Sequence, residues 1–221
     1  MKKFTAIFFV SLIICFCAMN SYCKKEEGLE TYVSEARTLS YVGSSDDFTL
    51  KANYGYKENP FEKDGKVGEK VYALTFKLDG ISLSPSTYYL SFDYNETQYK
   101  DKFTLSASNG YSVSFEINDF SSKEFEVNII CGSTLQNIKL TSIVPENTLS
   151  YTEALNKLKE SQSELIGVYY EAEEFNAEIY ARILVKEDKP YWYIAFATKD
   201  DLKALLVDGF TGEVLAIRNV F

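Results

Sequence analysis

Chemistry in this chain would have to be carried by carboxylates, hydroxyls and a few thiols, because it contains no His. That excludes Ser-His-Asp and Cys-His nucleophilic catalysis, His-ligated zinc and the usual neutral-pH proton shuttle. No Ser-x-x-Lys pattern occurs beyond the N-terminal leader described below, and no Gly-rich phosphate loop occurs at all. Two carboxylates at a fixed separation can hydrolyse a glycoside. The 32 acidic residues single out no such pair, so the chain reads as non-enzymatic, with a carboxylate-based hydrolase as the lesser alternative.

Metal sites fare no better. "DYNETQ" begins at Asp93 like a calcium loop, but Gln98 stands where Gly is needed and Thr104 where the twelfth-position Glu belongs. "EAEE" at 171–174 reads as a solvated acidic edge. No cofactor or metal is expected. The aromatic residues, 17 Tyr and 16 Phe, raise a carbohydrate platform at Tyr88, Tyr89, Tyr94 and Tyr99, with Trp192 further on. Most of these stand at strand spacing, where core packing needs them.

The compartment is read from the N-terminus. Lys2 and Lys3 precede an apolar stretch from Phe4 to Ala18. That is short of the roughly 20 residues of a membrane span and fits a secretory signal, so residues 1–23 are expected as a signal peptide. A lipid anchor is the alternative, although Cys15, Cys17 and Cys23 each follow a bulky residue. No second hydrophobic span follows, so a secreted or cell-surface location is expected without a membrane span in the mature chain. Removing Lys2 and Lys3 from 23 basic residues leaves 21 against 32 acidic, a net charge of −11. Such a surface repels phosphate backbones, which argues against nucleic acid. Only Cys131 lies clear of the leader, so this is not a disulfide scaffold. It continues the alternation Phe125, Val127, Ile129 and is expected on an apolar strand face.

The elements that would position these groups follow from periodicity. Residues 24–45 read as a linker or tether contributing at most one edge strand, through "TYVSEARTLSYV". From Phe48 the period is two: Tyr72, Leu74, Phe76 and Leu78 share a face, as do Tyr88, Leu90, Phe92 and Tyr94, and Tyr111, Val113, Phe115 and Ile117. One buried and one wet face marks antiparallel strands, and Asn109-Gly110 has the residues of a hairpin turn. Residues 46–145 are therefore expected as an immunoglobulin-like β-sandwich, on pattern alone. After Pro145 the period changes. Ser150 and Glu153 form a capping box, Tyr151, Ala154, Leu155 and Leu158 follow at helical spacing, and Gly167 stops the helix. Strands resume at 179–186, 191–198, 203–208 and 213–218, so residues 146–221 are expected as a small α+β domain, one helix on an antiparallel sheet.

The corner between the last two strands, "LLVDGFTGEVLAI", has structural duties for each residue. The Asp208 carboxylate can accept backbone N–H groups of the turn, Thr211 can support it, and Gly212 supplies the φ > 0 residue. Taken with the helix opening "LSYTEAL" and the strand "YWYIAFAT", this ending resembles the PepSY family of small extracytoplasmic domains. Val207, Asp208, Thr211, Gly212, Glu213 and Val214 match its closing turn, with Gly209 in the usual Ala place; "VYYEAEEFNAE" departs from the pattern. The resemblance covers residues 148–221. It implies a non-catalytic extracytoplasmic module that regulates or inhibits a secreted peptidase. The leading expectation is thus a secreted or surface binding protein with a protein partner. A wall- or glycan-binding adhesin using the sandwich is the alternative.

Overall fold

The computed structural model describes residues 28–62, 65–80, 87–106, 110–171 and 174–219. The expected signal peptide lies outside the described residues. A 3-10 turn, Leu29–Tyr32, leads into β1 (Val33–Ser44), β2 (Thr49–Asn59), β3 (Glu69–Asp79), β4 (Tyr88–Tyr94), β5 (Thr97–Lys102), β6 (Thr104–Ser106), β7 (Gly110–Glu116), β8 (Glu124–Cys131) and β9 (Thr134–Ser142). Helices α1 (Tyr151–Ser161) and α2 (Ser163–Gly167) follow. The chain then forms β10 (Tyr170–Glu171), β11 (Glu174–Phe175), β12 (Glu178–Lys186), β13 (Lys189–Ala197), β14 (Leu202–Asp208) and β15 (Val214–Asn219).

Among the described residues the chain is β-rich, at 61% strand and 11% helix, but the expected division into a sandwich and a separate α+β domain is not what forms. Thirteen strands belong to one sheet, in the order β15-β14-β13-β12-β1-β2-β3-β7-β6, with β9-β8-β4-β5 branching from β1. The physical reason is β1. Residues 33–44, expected as a tether with at most an edge strand, form the strand at which the sheet divides. One side of β1 pairs with β2 along almost its whole length. On the other side its first half pairs in parallel with β12, and Tyr41 and Val42 pair with β9. The two runs leaving β1 curl toward each other until Tyr99 of β5 and Phe115 of β7 lie 5.9 Å apart. A nearly closed, barrel-like sheet results, rather than two stacked ones.

This branching gives two cores on one sheet. The barrel encloses Tyr41, Leu50, Leu74, Phe76, Leu90 and Ile129 among others. The helix-side core is built on Val33, Ala36, Ile179, Trp192, Phe196 and Leu205. β1 and β2 serve both: Val33, Ala36 and Tyr56 belong to the helix-side core, Tyr41 and Tyr54 to the barrel. Gly55 is required where the strands come closest. β1 carries an irregularity between Arg37 and Leu39, and a Cβ at Gly55 would lie 1.9 Å from the Ala36 carbonyl oxygen.

Over the helix-side core lies α1. Its capping box is formed at both ends, with Ser150 Oγ accepting from the Glu153 amide and the Glu153 carboxylate accepting from the Ser150 amide. Ala154, Leu155 and Leu158 are buried; each leucine contributes about 1.5–3 kcal/mol by burial. The helix breaks at Gln162 and restarts as α2, where the sequence pattern read one helix. The strand alternation is seen directly: Leu74, Phe76, Leu78, Leu90, Phe92, Val113, Phe115 and Ile117 are all buried in the barrel. β6 and β7 pair antiparallel, with Ser106 opposite Gly110; Gly110 of the expected Asn109-Gly110 turn is the first residue of β7, and Asn109 lies outside the described residues. The "DYNETQ" segment is a tight hairpin with Asn95 and Glu96 both at positive φ, the backbone of a type I′ turn.

Candidate functional site

The corner at 208–213 brings together the four residues the sequence singled out. Asp208 Oδ1 accepts from the amides of Phe210 and Thr211, both at 2.9 Å. Thr211 Oγ1 accepts from the Glu213 amide at 3.2 Å, and the Gly212 amide donates to the Asp208 carbonyl at 2.9 Å. Gly212 has φ of +78°. The Thr211 amide, reinforced by that of Phe210, holds Asp208 below the usual carboxylate range. Gly209 ties the corner to the rest of the fold: its amide donates to the Pro190 carbonyl, and its carbonyl accepts from Leu149, just before the helix cap. These are scaffold bonds.

The aromatic platform disperses. Trp192 is buried and its indole N–H donates to the Leu149 carbonyl at 2.9 Å. Tyr88, Tyr94 and Tyr99 pack against the barrel core, and only Tyr89 of the named tyrosines is substantially exposed. Cys131 is a free, half-buried thiol at the end of β8.

Three surface features were not foreseen. The first is an ion-pair cluster where β1 meets β12. Glu35, 4% exposed, accepts from Arg182 Nε at 2.9 Å, from Arg182 Nη2 at 2.7 Å and from Arg37 Nε at 2.7 Å. Burial alone would raise the Glu35 pKa, but the bonds and charges of Arg182 and Arg37 outweigh it and hold the carboxyl below its ordinary value. Beside it, burial and then the negative field of Glu178, Glu58 and Glu35 push the Tyr180 phenol well above its ordinary value. The Arg182 guanidinium carbon lies 5.8 Å and 5.9 Å from the ring centres of Tyr180 and Tyr193. Glu35 and Arg182 are 147 residues apart in sequence. The only local signal was the i, i+2 placement of Glu35 and Arg37 on one face of a strand.

The second feature is a cleft of about 940 Å³ where the barrel meets α1, walled by Leu39, Tyr41, Val144, Pro145, Tyr151 and Trp192. Lys123 and Glu146 form an ion pair at its rim. The third is the free edge of β15. This strand pairs only with β14 among the described residues. Leu215 and Ile217 on it are 47% and 49% exposed, and Phe210 in the preceding corner is 37% exposed. Ile217 stands opposite the fully buried Leu205, so the apolar surface of the helix-side core runs out to this edge, uncovered by the described residues.

Comparison with protein-family models, curated proteins and solved structures finds no match to this chain. Among the described residues, no helix is long and apolar enough to cross a membrane.

Proposed function

We propose that the protein is a non-enzymatic, secreted or surface-held binding protein that engages a secreted peptidase through the free edge of β15. The observation that carries this reading is that edge, with its main chain unpaired among the described residues and its half-exposed Leu215 and Ile217. A sheet edge takes up an extended segment through main-chain hydrogen bonds, with alternate side chains supplying specificity. Peptidase clefts hold substrate chains in that extended form, so an edge strand can occupy one as a substrate does. The corner at Asp208 fixes the start of the strand rigidly, which lowers the entropy lost on docking. The residues of that corner are also those that resemble the closing turn of the peptidase-associated PepSY modules.

Inhibition constants measured for residues 24–221 against a panel of secreted metallopeptidases test the reading. Inhibition of at least one member, weakened about tenfold or more when Ile217→Lys places a charge on the edge, is expected. No inhibition across the panel, or equal inhibition by the Ile217→Lys variant, would overturn it.

A further inference from the structure

The sheet face turned away from both cores is hollow in its middle. Arg37 on β1 stands opposite Gly55 on β2, and Gly55 opposite Ala73 on β3. A row that begins with a guanidinium thus continues with no side chain and then a methyl group. The resulting hollow is about 350 Å³, at the small end of ligand sites. Its floor is fixed by the backbone, since the close approach of Ala36 permits only Gly at position 55.

The lining is rich in donors. Asn53, Thr75, Ser112 and Ser114 stand around the floor, with Thr75 and Ser114 hydroxyls 2.8 Å apart. Among the described residues Glu35 is the one carboxylate in the lining, and it is already engaged by two guanidiniums; Glu116, opposite Ala73, stands at the far margin. Among the described residues Arg37 gives only its Nε to Glu35; its side chain is 49% exposed and it lines the hollow. The Lys57 ammonium lies 3.7 Å over the Phe61 ring rather than on a carboxylate among the described residues. In the lining itself Arg37, Lys57 and Lys77 stand with the carboxylate of Glu35; Lys77 is paired with Asp79, and the carboxylates of Glu58 and Glu178, outside the lining, gather with Glu35 beside Tyr180.

We propose that this hollow binds an acidic saccharide, a uronate ring whose carboxylate meets Arg37 and Lys57 and whose hydroxyls meet Asn53, Thr75, Ser112 and Ser114. A guanidinium offers a carboxylate two parallel N–H donors, which fixes orientation as well as charge. The alternative of an acidic peptide is disfavoured by the sheet. Here the main chain of β2 and β3 is already paired on both sides, so a peptide backbone has nothing to add to, and the lining offers hydroxyls and an amide rather than apolar pockets. Tyr193, next in the row beyond Arg182, lies outside the lining, with its ring centre 5.9 Å from the Arg182 guanidinium carbon.

The test is calorimetric titration of the full chain with oligogalacturonate, a neutral cello-oligosaccharide, a sulfated oligosaccharide and a polyglutamate peptide. Arg37→Ala, which leaves Arg182 on Glu35, and Ala73→Glu, which fills and recharges the floor, are run alongside, with melting temperatures confirming that both fold. The proposal expects saturable binding of oligogalacturonate, none of the neutral oligomer, and a loss of about tenfold or more in both variants. It is overturned if no oligogalacturonate binds, if the variants fold and bind as the parent does, or if polyglutamate or the sulfated oligomer binds as well as the uronate.

Discussion

Replacing Glu35 by Gln tests the joint between the two cores. The substitution keeps the shape of the side chain and removes its charge, so Arg182 and Arg37 lose a shared carboxylate that accepts three N–H bonds at 2.7–2.9 Å. Hydrogen bonds to a charged group are worth about 1.5–3 kcal/mol each, and removing one partner of a buried pair costs about 3–5 kcal/mol. The side chains of Arg182 and Arg37 are 34% and 49% exposed, so water takes up part of the loss. A net destabilisation of about 2 kcal/mol at pH 7 follows, or a fall in melting temperature of about 4–8 °C for a chain of this size. The pH dependence has a definite sign. The folded-state pKa of Glu35 lies below its ordinary 4.5, so its contribution is fully present above pH 4.5 and is lost as pH falls through the folded value. Asp79 and Asp208 are also held low, but both proteins contain them and the difference cancels. Thermal melts of parent and variant from neutral to acidic pH should therefore show a gap at pH 7 that narrows on acidification. A gap that is absent at pH 7, or as wide at the acid end as at neutrality, would refute the reasoning.

Three further outcomes follow from other contacts of the fold. Asp208→Ala removes the carboxylate oxygen that accepts from two amides of the corner and should destabilise the full chain by about 1 kcal/mol, read from denaturant unfolding; an unchanged midpoint would show the corner is held otherwise. Ser150→Ala opens the capping box of α1 at a cost of about 1 kcal/mol, visible as a lower melting temperature, whereas Ser150→Asp should restore most of it. Gly55→Ala forces a methyl against the Ala36 carbonyl and should cost more than about 3 kcal/mol, with poor soluble yield as the first sign; a variant as stable as the parent would place the β1–β2 approach elsewhere.

Legibility in the sequence tracked how local the cause was. The strands carrying Leu74, Phe76, Leu90, Phe92, Val113 and Phe115 were readable because each alternates cleanly over one buried and one wet face. So was the start of α1, where the Ser150–Glu153 box lies within a single turn. β1 was not. Its register shifts between Val33 and Glu35 and again between Arg37 and Leu39, so its apolar residues fall out of step, and Ser34 and Glu35 are buried against expectation. Its parallel pairing with β12 joins residues far apart in the chain and leaves no local trace. With β1 read as a tether, the two halves looked like two domains. The ion-pair cluster and the hollow beside it were missed for the same reason, since both exist only where β1 is central. The side-chain bonds of the corner at Asp208 were legible because they join residues two or three apart, whereas its ties to Pro190 and Leu149 through Gly209 were not.

The claim on which the rest stands is that β1 lies in the middle of one sheet and joins both cores. Amide hydrogen exchange on the full chain addresses it directly. Residues 33–37 of β1 and 179–182 of β12 should exchange as slowly as the barrel strands, because reaching them requires opening the sheet at its centre. Fast exchange across 33–44, at the rate of an exposed linker, would contradict the single sheet and with it the hollow on its outer face.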